Sequence, residues 1–210
     1  MRARRFGRPR LGVAHERMNG SMPVSERSVS PHVLAPAAVS GFAPEQPSHS
    51  LALIHACDLN PDDPILDVGA ADPPLIEALL AEGFRDITVI ASSADALDAV
   101  RARLGERGDR VKLLHADPLH FHPLCRFALW HDGVLFRGLE HPEERQQYAE
   151  VAQQALRPEG HLILTGRQFE LGNQFELLDS QPAPEARSRS AAHELLHCRF
   201  CRHAPRRLSA

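Results

Sequence analysis

Two short stretches of this chain end in side chains able to do chemistry. In Ile65-Leu66-Asp67-Val68-Gly69-Ala70-Ala71-Asp72 a branched apolar run closes on an acid and a glycine, and in Phe127-Ala128-Leu129-Trp130-His131-Asp132 a second apolar run closes on an imidazole and a carboxylate. Gly69 supplies the permissive backbone where a chain must turn sharply beneath a ligand. His131 and Asp132 form a polar pair that can orient or deprotonate a substrate, or can instead satisfy the backbone of the loop that follows. Asp72 stands before Pro73-Pro74, an order that fits a cap and first turn of a helix better than a ligand role.

The histidines, 13 in all, invite a metal reading at His120-Phe121-His122 and at His197-Cys198-Arg199-Phe200-Cys201-Arg202-His203. A single Cys-x-x-Cys without a second pair is not a zinc framework, and on a strand Cys198 and Cys201 point to opposite faces. No metal is expected.

The elements that position these groups follow from periodicity. Branched apolar residues at 65–68 suit a strand covered on both faces. Ile87-Thr88-Val89-Ile90 is a β-branched strand, Val111 to Leu114 a third, Phe127 to Trp130 a fourth, and Leu162-Ile163-Leu164 a fifth. Between them, residues 94–104 place Ala94, Leu97, Val100, Ala102 and Leu104 near helical spacing. Pro142 opens a helix whose first turn carries Glu143 and Glu144, with Gly160 closing that unit. Strands alternating with helices at this spacing predict a doubly wound, mostly parallel sheet with its ligand outside the carboxyl ends of the strands.

The segments ILDVGAADPPLIEALLAEGF (65–84), DITVIASSADALDAVRARL (86–104), HADPLHF (115–121), FALWHDGVLFRGLEHPEERQQYAEVAQQALRPEGHLILTG (127–166) and LLHCRFCR (195–202) resemble, in that order, the class I S-adenosylmethionine-dependent methyltransferases, most closely a bacterial small-molecule-methyltransferase-like subfamily. The resemblance covers residues 42–203 and implies a Rossmann-like α/β fold and S-adenosylmethionine as cofactor. In that family the turn after the first strand cradles the cofactor's methionine part, an acid ending the second strand binds both ribose hydroxyls, and a residue near the end of the third flanks the adenine. Carried over position by position, Asp67 and Gly69 match, Ala71 replaces an expected glycine, Ala91 replaces the ribose acid, and Asp117 matches the adenine-side acid. Ser92 and Ser93 are the neighbouring hydroxyls able to replace part of what Ala91 lacks. His131 and Asp132 fall at the substrate side.

Only about eight residues separate the fifth strand from the apolar run Phe175-Glu176-Leu177-Leu178. A parallel crossover normally takes a dozen or more, so this region is shortened relative to the family. Residues 181–192 then read as a polar connection to a final strand.

At 210 residues and 43% hydrophobic, the chain can build one domain with a substantial core. Residues 1–47 hold seven arginines against three glutamates, while the whole chain carries a net charge of −3. Residues 1–41 are expected to be a disordered basic extension and 204–210 a basic tail, with Met18 and Met22 as alternative starts. With no recognition element beside the arginines, nucleic acid is not the expected partner. The absence of a long apolar run or signal peptide predicts a cytoplasmic protein with no membrane association. Four scattered cysteines do not make a disulfide framework. Two functions stand: methyl transfer to a small molecule, or a degenerate relative that keeps the fold as a binding or interaction module.

Overall fold

The computed structural model describes residues 49–70, 72–167, 169, 171–183 and 195–203. The expected basic extension and tail, Ala71 and most of the 181–192 connection lie outside them. Contacts divide the chain between Ala38 and Val39, and every described element belongs to the second unit.

The described elements are α1 (His49–His55), β1 (Ile65–Val68), α2 (Pro73–Ala81), β2 (Ile87–Ala91), α3 (Ala94–Leu104), β3 (Val111–His115), β4 (Phe127–Asp132), α4 (Leu135–Gly138), α5 (Pro142–Ala155), β5 (Leu156–Gly166), β6 (Phe175–Pro182) and β7 (Leu196–Arg202). The strands form one seven-stranded sheet in the order β3-β2-β1-β4-β5-β7-β6. The first five run parallel, and β7 is antiparallel to both β5 and β6. Because the order reverses at β1, the crevice beyond the carboxyl ends of β1 and β4 is the topological switch point, where ligands bind in open α/β sheets.

Strand alternation sorts the core into two layers. Leu66, Val68, Trp130, Leu162 and Leu164 face α5, which buries Tyr148, Ala149, Val151 and Ala152 against them. Ile65, Ile87, Val89, Leu129 and Ile163 face the other way, against Leu53 and Ile54 of α1, Leu75, Ile76 and Leu79 of α2, and Leu97 and Val100 of α3. The central strands β1, β2 and β4 are buried along their whole length, as unbroken apolar runs require.

Helix starts follow the sequence signals. The Asp72 carboxylate accepts the Leu75 N–H and Pro73 opens α2; Ser93 Oγ accepts the Ala96 N–H and caps α3. One boundary differs from expectation. Gly160 does not close the helical unit; α5 passes directly into β5 at Leu156, and Gly160 lies inside that strand. The β4–β5 register shifts between Phe127 and Leu129, and Glu159 adopts φ +62° to absorb the irregularity. A Cβ on Gly160 would lie 2.9 Å from the Arg157 carbonyl and 3.2 Å from those of Ala128 and Phe127, so the close backbone approach selects glycine.

The link after β5 is short, as its length implies: among the described residues a single 3-10 turn, Gly172–Gln174, precedes β6. β6 itself extends to Pro182, further than the apolar run suggests, because its partner is β7 along the sheet edge and most of its side chains face outward.

Candidate functional site

Asp67 and His131 are register neighbours on β1 and β4, on the face covered by α1, α2 and α3. His131 Nδ1 lies 2.7 Å from Asp67 Oδ1, and His131 Nε2 lies 2.6 Å from the hydroxyl of Ser50 on α1. Asp67 and His131 are 1% exposed and Ser50 is 5% exposed. A carboxylate only accepts, so Nδ1 carries its hydrogen toward Asp67 and leaves Nε2 facing Ser50. Among the described residues the second oxygen of Asp67 is buried without a hydrogen-bond donor.

The polar line continues across the sheet. Thr165 of β5 and His197 of β7 are register neighbours, 2.6 Å apart between Oγ1 and Nδ1. The rings of His197 and His131 meet edge to face at 6.2 Å.

Burial raises the Asp67 pKa by more than the His131 bond lowers it. In His131 burial works against the charge but is outweighed by the Asp67 bond and by the charges of Asp67, Asp72 and Asp132, so its pKa is raised. The pair therefore keeps a shared proton to higher pH than a free imidazole would. With that proton present both ring nitrogens donate; once it leaves, Nε2 accepts the Ser50 O–H.

Asp132 occupies the opposite face. It lies at the carboxyl end of the fourth strand, as expected, yet it is fully buried. Oδ1 accepts the N–H groups of Val134 (2.8 Å) and Leu135 (2.7 Å); Oδ2 accepts the Phe136 N–H (2.9 Å) and the Tyr148 hydroxyl (2.6 Å). Tyr148 in turn accepts the Trp130 indole N–H at 2.7 Å. Burial first, then the Asp132 charge, raises the Tyr148 pKa far above that of a free phenol, so the hydroxyl stays a donor. His131 and Asp132 are thus not one polar pair facing a crevice. Alternation along β4 sends them to opposite layers, one into a chain with Asp67 and Ser50, the other into the anchor of the β4–α4 turn.

The turn after β1 is open. Gly69 has φ +91° and Ala70 φ +56°, and a Cβ on Gly69 would meet nothing within 4 Å. Ala71 falls outside the described residues. Ala91 ends β2 at 3% exposure and carries no polar group, while Ser92 beside it is exposed. The Ser93 hydroxyl is engaged as the α3 cap. At the end of β3, both carboxylate oxygens of exposed Asp117 have local partners, the Leu119 N–H at 2.9 Å and His120 Nδ1 at 2.7 Å.

The sequence singles out neither Ser50 nor Thr165, and offers His197 only as a metal ligand. Residue type gives no signal for Ser50. The alternation of Asp67 and His131 with their apolar neighbours would have placed both on one face once the strand order was known. Among the described residues no group of three or more His, Cys, Asp or Glu side chains could hold a metal, and no helix is long and apolar enough to cross a membrane. An open groove of about 430 Å³ lies elsewhere, on the α5 side, between Gln146, Glu150 and Gln153 and the Leu171–Gln174 segment.

By sequence, no family model and no curated protein matches the chain. Solved structures do. The N-methyltransferase NodS from Bradyrhizobium japonicum WM9 superposes with a TM-score of 0.59 at 19% identity, over 73% of this chain and 94% of that one. The glycopeptide N-methyltransferase MtfA does so with a TM-score of 0.61 at 15% identity, over 79% and 94%. A S-adenosylmethionine-dependent methyltransferase from Clostridium acetobutylicum ATCC 824 gives 0.61 at 13% identity, over 74% and 89%. Structures of MtfA hold S-adenosylhomocysteine, sinefungin or S-adenosylmethionine. At these identities the likeness is one of fold, and it agrees with the sheet order: the chain has the Rossmann-like fold of class I methyltransferases.

Proposed function

We propose that the crevice beyond β1 and β4 binds S-adenosylmethionine and that the protein belongs functionally with methyltransferases acting on small molecules. The observation that carries this reading is the open Gly69–Ala70 turn at the switch point, directly after a buried carboxylate with one unpartnered oxygen. The charges of Asp72 and Asp132 both act on Asp67 there, an acidic setting that suits a sulfonium or an ammonium group. When bound, the cofactor supplies an electrophilic methyl group.

The chain's own residues divide the remaining work. Gly69 lets the backbone approach the ligand, and Asp67 fixes the tautomer of His131. His131 is the titratable group able to accept a proton at this end of the sheet. Asp132 is a positioning residue: it acts through α4 and Tyr148, which set where the loop after β4 runs. Ser92 is the hydroxyl left free of capping at the end of β2, where Ala91 brings no carboxylate.

A second reading, a relative that keeps the fold as a binding module, is favoured by Ala91 itself. A carboxylate bonded to two hydroxyls contributes roughly 1.5–3 kcal/mol per bond, so its absence weakens binding by one to several powers of ten. Calorimetric titration with S-adenosylmethionine and with sinefungin tests binding. Transfer of labelled methyl to a panel of small amines, phenols and carboxylic acids tests turnover. Binding without transfer supports the module, binding with transfer supports the enzyme, and no binding at millimolar cofactor overturns both cofactor readings.

A further inference from the structure

Ser50, His131 and Asp67 are arranged in the order nucleophile, base, orienting acid, with 2.6 Å and 2.7 Å between the partners. We propose that these three residues form a nucleophilic site in which Ser50 Oγ attacks the carbonyl of small, uncharged carboxylic esters. This activity is separate from methyl transfer and needs no cofactor.

The proposal rests first on hydrogen-bond logic. Asp67 holds the Nδ1 hydrogen, so the neutral imidazole can only accept from Ser50, and the serine hydrogen points along the path by which it would leave. Such a constellation is recognised by the roles its members play, not by their sequence positions. Rigidity comes second. Asp67 and His131 sit on adjacent central strands in fixed register, and α1 is seated in the core by Leu53 and Ile54, which holds Ser50 in place. A side-chain constellation carried on regular elements keeps its geometry better than one on loops. Location is third: Asp67 and His131 each stand one residue short of the carboxyl end of their strand, the end at which open α/β sheets bind ligands.

Surroundings choose the substrate class. The charges acting on His131 are those of Asp67 from β1, Asp72 before α2 and Asp132 across the sheet, and the His197 ring from β7 meets it edge to face. Three carboxylates disfavour phosphate esters and other anions and leave neutral esters as the electrophile. Ser50 is 5% exposed, so bulky acyl groups are excluded from its hydroxyl.

In the acylation step, a bond forms between Ser50 Oγ and the carbonyl carbon while the Oγ proton passes to His131 Nε2. The tetrahedral intermediate collapses as the ester C–O bond breaks, and the alcohol leaves with the proton from His131. Water then attacks the acyl-serine, giving a proton to His131; the acid departs and Ser50 recovers its hydrogen. No oxidant, reductant or metal is required.

The test uses the full chain with two probes: p-nitrophenyl acetate for turnover, and diisopropyl fluorophosphate, in which Oγ bonds to phosphorus as fluoride leaves. The expected result is one phosphorylated residue per chain, located at Ser50 by peptide mass mapping. Nitrophenol release should be abolished in Ser50→Ala and fall by about three to four powers of ten in Asp67→Asn, which keeps the shape but supplies the wrong tautomer. Cofactor titration of wild type and Ser50→Ala separates the two activities, since Ser50 has no part in the proposed cofactor contacts and failure of the esterase leaves methyl-donor binding untouched. Wild-type protein with no adduct, an adduct on another residue, or nitrophenol release unchanged in folded Ser50→Ala overturns the proposal. Should a variant not fold, the site of wild-type labelling decides alone.

Discussion

Replacing Asp132 with asparagine should cost the protein about 3–5 kcal/mol of stability. Four donors converge on this fully buried carboxylate, three backbone N–H groups and the Tyr148 hydroxyl, all within 2.6–2.9 Å. Asparagine keeps the shape but has one acceptor oxygen. If that oxygen stays with Val134 and Leu135, the new amide N–H₂ confronts the Phe136 N–H and the Tyr148 hydroxyl. Tyrosine can turn its own hydrogen away and accept; a backbone N–H cannot. At least one buried donor then has no partner, at about 1–3 kcal/mol, and the two retained bonds lose their charge assistance at roughly 1 kcal/mol each. Against a total stability of about 5–15 kcal/mol this is a large fraction. Trp130, the chain's single tryptophan, is fully buried and donates to Tyr148, so its fluorescence reports the transition directly. In urea the midpoint should fall with an unchanged slope, and at about 2–4 °C per kcal/mol the melting temperature should drop by roughly 6–20 °C. A variant within about 0.5 kcal/mol of wild type, with cofactor binding or turnover lost, would show that Asp132 meets ligand instead of holding the turn.

Ala91→Asp should tighten S-adenosylmethionine binding by at least tenfold, read by calorimetry; equal or weaker binding means Ser92 already serves the ribose. Diisopropyl fluorophosphate labelling of Ser50 requires neutral His131, whose pKa is raised above that of a free imidazole. The rate should therefore climb as pH rises, with its midpoint above about 6.5, and a rate that falls as pH rises contradicts the general-base role. Gly160→Ala should destabilise by about 1–3 kcal/mol, because backbone carbonyls at 2.9–3.2 Å cannot give way as a flexible side chain would; thermal unfolding measures it. The Asp63 pKa is lowered, first by its bond to Arg157, which is bidentate at 2.6 and 3.3 Å. Its stabilisation is present above the unfolded carboxyl value of about 3.9 and disappears as pH falls through the lower folded value. Arg157→Gln should flatten that acid limb in urea titrations, with a small effect at neutral pH because Arg157 is 43% exposed.

The sheet was legible because its strands announce themselves locally. Ile87-Thr88-Val89-Ile90 is β-branched throughout, and the spacing of Ala94, Leu97, Val100 and Leu104 delimits α3 as observed. Asp72 was legible as a cap because the proline after it fixes a helix start. The candidate site was less so. Ser50 and His131 are 81 residues apart, and nothing in either neighbourhood encodes the other. The separation of His131 from Asp132 onto opposite faces follows from alternation, but only after the strand is known to run through Asp132 and not to stop at Trp130. Gly160 was misplaced because a glycine after a helical segment commonly marks its end, whereas here a bulge in β5 makes the stronger demand.

The place of β7 in the sheet has a consequence for the order in which the molecule assembles. β7 is the last of the described strands, yet it inserts between β5 and β6, and among the described residues β6 pairs only with β7. During synthesis the parallel set β3-β2-β1-β4-β5 can close as it emerges, while Phe175–Pro182 has no neighbour until Leu196–Arg202 has left the ribosome. Completion of that edge is therefore a late, non-local event, and a translational stall before residue 196 leaves the β5 edge and the whole of β6 open to pairing with another nascent chain.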